Sequence, residues 1–290
     1  MNGEELEQLN AAGYTYADIA KVHGLTRGKV ASRIRQHRLK SEKRRSKFYV
    51  EFPEYWQLSG DWMVCGDVHV PCSDYDFAQL LVKVAKQHNI KRLLVGGDFF
   101  TFDIFSSYPK DIVDVMWRQE RDAGRTLIGE WLEWFDEIRF IMGNHDRRMV
   151  KWVNGQFDSR DIFSMVTSSD KCHFSDWGHC MIDTASGPWR VTHSKNYSVN
   201  QLTVADTLAQ KFQCNVISHH EHHLAHGWDR FKRYVVINNG GLFDQAKMAY
   251  VVLDDSKMPN MTPGFTRLEN GVAHTYGKHP YTDWQEVLHN

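Results

Sequence analysis

The chain has 290 residues, 42% of them hydrophobic and 13% aromatic, which excludes a disordered chain and leaves room for more than one domain. Lys plus Arg number 35 against 36 Asp plus Glu, so net charge by itself points to no partner. Its distribution says more: residues 1–48 carry 11 Lys/Arg against 5 Asp/Glu, while residues 49–290 carry 24 against 31, a basic head on an acidic body. The five cysteines, Cys65, Cys72, Cys172, Cys180 and Cys214, are odd in number and form no Cys-x-x-Cys pair, against both a disulfide framework and a thiolate zinc site. No apolar run approaches the ~20 residues of a membrane helix, and the polar start MNGEELEQLN does not read as a signal peptide. The expectation is a soluble cytoplasmic protein with no membrane partner.

In chain order, the head reads as three short helices: Glu4–Ala12 stopped by Gly13, Tyr16–His23 capped by Thr15 and ended by Gly24, and Arg27–Arg38 capped by Thr26. Residues 1–39 would be this helical domain and 40–58 a basic linker, its stretch Lys40 to Lys47 (KSEKRRSK) charged and mobile. From residue 60 the pattern changes. Trp62–Cys65 is a short apolar strand, Phe77, Leu80, Leu81, Val84 and Ala85 recur on one helix face, and Arg92–Val95 is a second strand, together a βαβ unit. A helix follows over 111–135, then strands at Ile138–Met142, 179–183, 189–193, 214–218, 234–238 and 248–253. The class is α/β, with the body over 59–255 and residues 256–290 a tail packed on it.

Polar motifs stand at or just past the predicted strand ends: Gly66-Asp67-Val68-His69, Gly97-Asp98, Gly143-Asn144-His145-Asp146, His193, and His219-His220-Glu221-His222. Asp67 and His69 are two apart, as are His220 and His222, so an extended segment turns each pair to one side. Ligands collect at the carboxyl ends of strands in α/β sheets. Carboxylates, imidazoles and one amide suit Mn²⁺ first, with Fe²⁺, Zn²⁺ or Ni²⁺ as alternatives, and the donors are numerous enough for two ions.

This ordered set, over roughly residues 60–255, resembles the calcineurin-like metallophosphoesterase superfamily, which includes nucleases of the Mre11/SbcD type and phage-encoded phosphoesterases. The resemblance implies two packed mixed sheets flanked by helices. It implies Asp67, His69, Asp98 and His222 around one metal ion, and Asp98, Asn144, His193 and His220 around a second, Asp98 bridging. It further implies attack on phosphorus by a metal-bridged hydroxide, with His145 assisting the leaving oxygen. Asn238-Asn239-Gly240-Gly241 resembles the family's turn after the last histidines. Two departures stand out. His219 occupies the usual Gly of Gly-His-x-His, which leaves open whether His219 or His223 replaces His220 or His222. The Gly97-Asp98 motif lacks the Arg-Gly of protein Ser/Thr phosphatases, and Asp103 is either a displaced carboxylate of that motif or a loop cap.

Arg147 and Arg148 follow His145, where guanidinium groups hold phosphate or form a solvated pair. Phe99, Phe100, Phe102 and Phe105 read as packing rather than base stacking. In the head, Asp18 to Val30 resembles a helix-turn-helix, which would turn Thr26, Arg27, Lys29, Arg33 and Arg35 toward DNA, the linker cations Lys43, Arg44, Arg45 and Lys47 adding phosphate contacts. The leading expectation is a dinuclear-metal phosphodiesterase acting on nucleic acid, DNA first, with Asp98 and His145 at the reaction centre. The alternatives are a phosphoesterase for cyclic nucleotides, nucleotide monoesters or phosphoproteins, and a DNA-binding regulator with an inactive body.

Overall fold

The computed structural model describes residues 1–45, 54–106, 115–248 and 261–278. Chain contacts divide it into two units, Met1–Glu54 and Tyr55–Asn290.

The first unit is helical: α1 (Gly3–Ala11), α2 (Tyr16–Val22) and α3 (Arg27–Arg45). Asn2 and Thr15 cap α1 and α2, each in a reciprocal box with the carboxylate three residues on, Glu5 and Asp18. Gly24 turns the chain at φ +63°, a conformation that costs a side-chain-bearing residue more than glycine. Leu6, Ile19, Ala20, Val30 and Ile34 close a small core. The mobile linker expected from Lys40 is corrected here: α3 continues to Arg45, because Lys, Arg and Glu are good helix formers and no Gly or Pro interrupts them. The other end of that linker is also structured, since Gln57–Ser59 is strand β1 of the second unit.

The second unit is two packed mixed six-stranded sheets flanked by helices. After β1 come β2 (Trp62–Cys65), α4 (Tyr75–Gln87), β3 (Arg92–Val95), α5 (Trp117–Leu132), β4 (Glu137–Ile141), α6 (Asp146–Trp152), α7 (Ser159–Ser164) and β5 (Cys172–Ser175). Then follow β6 (His179–Thr184), β7 (Gly187–His193), α8 (Thr203–Phe212), β8 (Asn215–His219), β9 (Leu224–Trp228), β10 (Val235–Asn239), β11 (Gly264–Glu269) and β12 (Val272–Gly277). One sheet runs β1-β6-β7-β8-β10-β9 and the other β12-β11-β2-β3-β4-β5.

Period-two alternation explains the layering. In β2, Met63 and Cys65 join Leu93, Val95, Phe140 and the apolar faces of α4 and α5. The alternate residues Trp62 and Val64 meet Leu94, Ile141, Trp189, Val191, Ile217 and Ile237 between the sheets. Buried on both faces, these strands read as continuous apolar runs. On the far side α8 lays Ala205 and Ala209 on Val216 and Val236. Phe99, Phe100 and Phe102 are fully buried among Trp131, Phe140 and Phe163, so this aromatic run is core.

Two expectations change and one falls outside the described residues. The helix over 111–135 occupies Trp117–Leu132, with residues 111–114 outside the described residues. The strand expected at 248–253 lies outside them from residue 249 onward. Residues 264–277 are no tail on the body: β11 and β12 form a hairpin, and β11 pairs antiparallel with β2, Thr266 opposite Val64, so the sheet extends past residue 255. All five cysteines are buried and free, as reduced thiols require. Among the described residues no helix is long and apolar enough to cross a membrane.

Candidate metal centre

The parallel pair β2 and β3 carries its pairing past the strand ends. Asp67 N–H donates to the Gly97 carbonyl at 2.9 Å, and the Val68 and His69 amides donate to the Asp98 carbonyl at 2.9 and 3.1 Å. This zips the loops after the two strands together at the carboxyl edge of the sheet. The loop after β4 joins them, with Gly143 against Gly97, whose φ of +92° brings the backbones close. From the other sheet, β7 ends on His193 and β8 delivers the histidine run.

Five of the polar residues there have left-handed backbones: Asp67, His69, Asp98, His220 and His222, with φ between +45° and +92°. Each such conformation costs an L-residue about 1–2 kcal/mol, which the surrounding hydrogen bonds must offset. It turns side chains inward from consecutive short loops.

Two groups result. In one, His222 Nε2 lies 3.2 Å from Asp67 Oδ1 and 3.1 Å from His69 Nε2. In the other, His193 Nε2 lies 3.2 Å from Asp98 Oδ2 and 3.0 Å from Asn144 Oδ1, with His220 completing the set. The donor atoms of Asp67, His69 and His222, and separately of Asp98, His193 and His220, fall within 4.8 Å of one another. The structure thus brings all seven sequence-derived ligand candidates together.

Both carboxylates are anchored by one oxygen and bare at the other. The His220 amide donates to Asp67 Oδ2 at 3.0 Å and the His145 amide to Asp98 Oδ1 at 2.7 Å. Asp67 Oδ1 and Asp98 Oδ2, buried and without a hydrogen-bond partner, face the imidazoles. A buried carboxylate oxygen without a partner is costly unless a cation meets it. That pattern, with neutral imidazole nitrogens beside it, fits divalent metal ions.

Electrostatics agree. Burial opposes charge on Asp67, but His222 and His219 beside it hold its carboxyl well below the usual range. Burial likewise opposes ionisation of Asp98, and His193 and His145 hold it low. Burial disfavours a proton on His193, yet the adjacent Asp98 pushes its value up to about 9. His69 is driven well down by burial and by His145, and His220 down to about 4 by burial.

The register of the histidine run is settled by packing. His220 and His222 enter the two groups. His219 points beneath them, buried, its ring filling the space over Gly66 and Gly96, where a β-carbon on either glycine would collide with it. Its Nδ1 lies 3.6 Å from Asp67 Oδ2. His223 is buried against Tyr197, outside both groups.

Asp146, of the Gly143-Asn144-His145-Asp146 motif, bonds to no other side chain among the described residues. It accepts from three backbone amides, Asp98 N at 2.8 Å, Gly143 N at 2.9 Å and Phe100 N at 3.2 Å, and so ties the loops after β3 and β4. His145 is held by Nδ1, 2.7 Å from the Thr101 carbonyl, and its Nε2 lies 4.0 Å from Asp98 Oδ2. Arg147 donates to the Asp176 carbonyl. Arg148 turns the other way, to Asp103, Thr101 and His145. Asp103 is therefore an ion-pair partner within a 3₁₀ turn, Asp103–Phe105.

In the helical unit, Thr26, Arg27, Lys29, Arg33 and Arg35 are exposed, while Val30 and Ile34 of the same helix are buried. Arg33 donates to the Met1 carbonyl at 3.0 Å.

A family model described as calcineurin-like phosphoesterase matches residues 62–241, and the chain belongs to that family, which points to hydrolysis of phosphoester bonds. Among solved structures, Vps29 from Chaetomium thermophilum is similar at 12% identity over 76% of this chain and 92% of its own, with a TM-score of 0.42. A conserved uncharacterized protein from Streptococcus pneumoniae TIGR4, described as a predicted phosphoesterase, is similar at 10% identity over 76% and 98%, TM-score 0.34. Wild-type Vps29 from Entamoeba histolytica, solved with Zn²⁺, is similar at 13% identity over 75% and 98%, TM-score 0.35. No curated protein matches.

Proposed function

We propose that the chain is a phosphodiesterase that uses two divalent metal ions to hydrolyse nucleic acid, DNA first, and that its helical unit is a helix-turn-helix that delivers it there. One observation carries the enzymatic reading: two adjoining groups of carboxylate and imidazole donors, each with one carboxylate oxygen anchored by a backbone amide and the other bare.

Asp67, His69 and His222 would hold one ion, and Asp98, Asn144, His193 and His220 the other, with Asp98 in common. When bound, the ions supply positive charge to the phosphate and acidify water, and this donor set suits Mn²⁺ before Fe²⁺, Zn²⁺ or Ni²⁺. The chain's own residues prepare the site. The Gly96 carbonyl, 3.0 Å from His193 Nδ1, leaves Nε2 of that ring facing the donors. The Thr101 carbonyl does the same for His145, so Nε2 is the atom available to the leaving oxygen. Burial of both rings keeps water from competing for them.

The DNA assignment rests on the exposed cations of α3 and the basic balance of residues 1–48. A second reading keeps the chemistry and takes a small phosphoester, favoured by the net −7 (24 minus 31) of residues 49–290, since a DNA track usually wants a basic groove.

The test offers labelled single- and double-stranded DNA and a generic phosphodiester to metal-stripped protein with and without added Mn²⁺. DNA cleavage that needs Mn²⁺ and is lost in Asp98→Asn supports the nuclease. Turnover of the small diester alone moves the substrate to nucleotides, and no turnover of any phosphoester removes the enzymatic reading.

A further inference from the structure

Two arginines follow His145, and the structure gives them different tasks. Arg147 donates to the Asp176 carbonyl. Arg148 folds inward, its side chain 18% exposed, and is held at three points. Nη1 donates to the Thr101 carbonyl at 3.0 Å and pairs with the Asp103 carboxylate, while Nη2 stands 3.1 Å from His145 Nε2.

The protons in this arrangement can be assigned from chemistry. The Thr101 carbonyl only accepts, so His145 Nδ1 carries the hydrogen. A guanidinium only donates, so Nε2 offers Arg148 its lone pair. A permanent cation thus stands against the reactive nitrogen of His145, which is 4.0 Å from the bare oxygen of Asp98. A neutral imidazole is a modest acceptor for a guanidinium, whereas an anionic phosphate oxygen makes a bond in which both partners are charged. Asp103 and Thr101 fix the guanidinium, so little side-chain freedom is lost when Nη2 changes partner.

We propose that Arg148 is a catalytic residue that rests on His145 Nε2 in the free protein and moves to a non-bridging oxygen of the bound phosphate, and that Asp103 is its positioning residue. One hydrogen bond, Nη2–H to Nε2, breaks, and another, Nη2–H to phosphate oxygen, forms; the lone pair on Nε2 is then free to take a proton from solvent and pass it to the leaving oxygen. The assignment rests on the phosphoesterase reading above. It gives Asp103 a purpose and places the phosphate-binding guanidinium on α6, in a chain whose Gly97-Asp98 motif carries no arginine.

The experiment uses the full Mn²⁺-loaded chain as wild type, Arg148→Ala, Arg148→Lys, Asp103→Asn and the double variant Arg148→Ala with Asp103→Asn. It reads affinity for inorganic phosphate, turnover of bis(p-nitrophenyl) phosphate, and bound Mn²⁺. Arg148→Ala is expected to bind phosphate about tenfold more weakly or worse, the loss of one charged hydrogen bond, and to turn over about a hundredfold more slowly, with Mn²⁺ content unchanged. Guanidinium at tens of millimolar restores part of both in Arg148→Ala but not in the double variant, which lacks the carboxylate that seats it. Arg148→Lys falls between, because an ammonium cannot bridge Asp103 and phosphate in the same fork. Phosphate affinity within twofold of wild type in Arg148→Ala overturns the proposal. So does a loss that guanidinium leaves untouched and that follows the melting temperature, the mark of a structural clamp. A wild type inactive on every phosphoester refutes the phosphoesterase reading instead, and phosphate affinity then decides the Arg148 assignment.

Discussion

Glu120 of α5 is a fully buried acid: the Phe102 amide donates to its Oε2 at 2.9 Å, and its Oε1 has no partner among the described residues. Burial, reinforced by Asp103 and opposed by the Phe102 amide and Arg148, pushes its carboxyl from 4.5 up to about 8. A raised carboxyl binds its proton more tightly folded than unfolded, so its contribution is fully present below pH 4.5. It is lost as pH rises toward 8. At about 1.4 kcal/mol per pH unit across that interval, the loss is on the order of 5 kcal/mol, and about 3 kcal/mol has gone by pH 7. Glu120→Gln keeps the acceptor for Phe102 and cannot ionise. Urea unfolding of the two proteins in EDTA, between pH 4.5 and 9, should give equal stabilities at the acid end. The variant should be increasingly the more stable toward pH 9, by several kcal/mol. Every other titrating group is common to both and cancels in the difference. A difference that stays flat across this range would refute the reasoning and mean that Glu120 ionises in place.

Four further outcomes follow from the geometry. Asp98→Asn should lower phosphodiester turnover by about 10²–10³-fold or more and weaken Mn²⁺ binding, read by metal content and a diester assay, because it removes the charge facing His193. Gly143→Ala should do the same with little change in the helical unit, since its β-carbon would strike the Asp98 carboxylate and amide; unchanged Mn²⁺ affinity would mean that the loop yields. Phe163→Ala, which removes a ring packed on Phe99, Phe100, Phe140 and Phe174, should destabilise the second unit by about 3–5 kcal/mol in urea titrations. For the helical unit, replacing Arg27, Lys29 and Arg35 by alanine should flatten the log–log salt dependence of DNA binding by about 2–3, and an unchanged slope would place DNA elsewhere.

What could be read along the chain, and what could not, divides by range. The β2–α4–β3 unit declared itself because its period and its punctuation are local, and motifs at strand ends lie where parallel strands gather ligands. The charged stretch after Lys40 suggests mobility, but its Lys, Arg and Glu residues favour helix and α3 runs on to Arg45. The β11–β12 hairpin was hidden by Pro263 and Gly264, which punctuate a strand that completes its pairing only against β2, some 200 residues earlier. Asp103 with Arg148, and Asp146 with the amides of Asp98 and Phe100, join loops more than 40 residues apart, a pairing that no local pattern announces.

The imidazole of His219 lying in the hollow of Gly66 and Gly96 ties three positions into one inherited unit. While residue 219 is histidine, a β-carbon at either glycine would force its ring to shift, so an alanine at 66 or 96 is best accommodated where 219 is small. Conversely, a lineage that first fills either glycine has closed the route to His219. The order of substitutions at 66, 96 and 219 therefore matters, and not merely their sum.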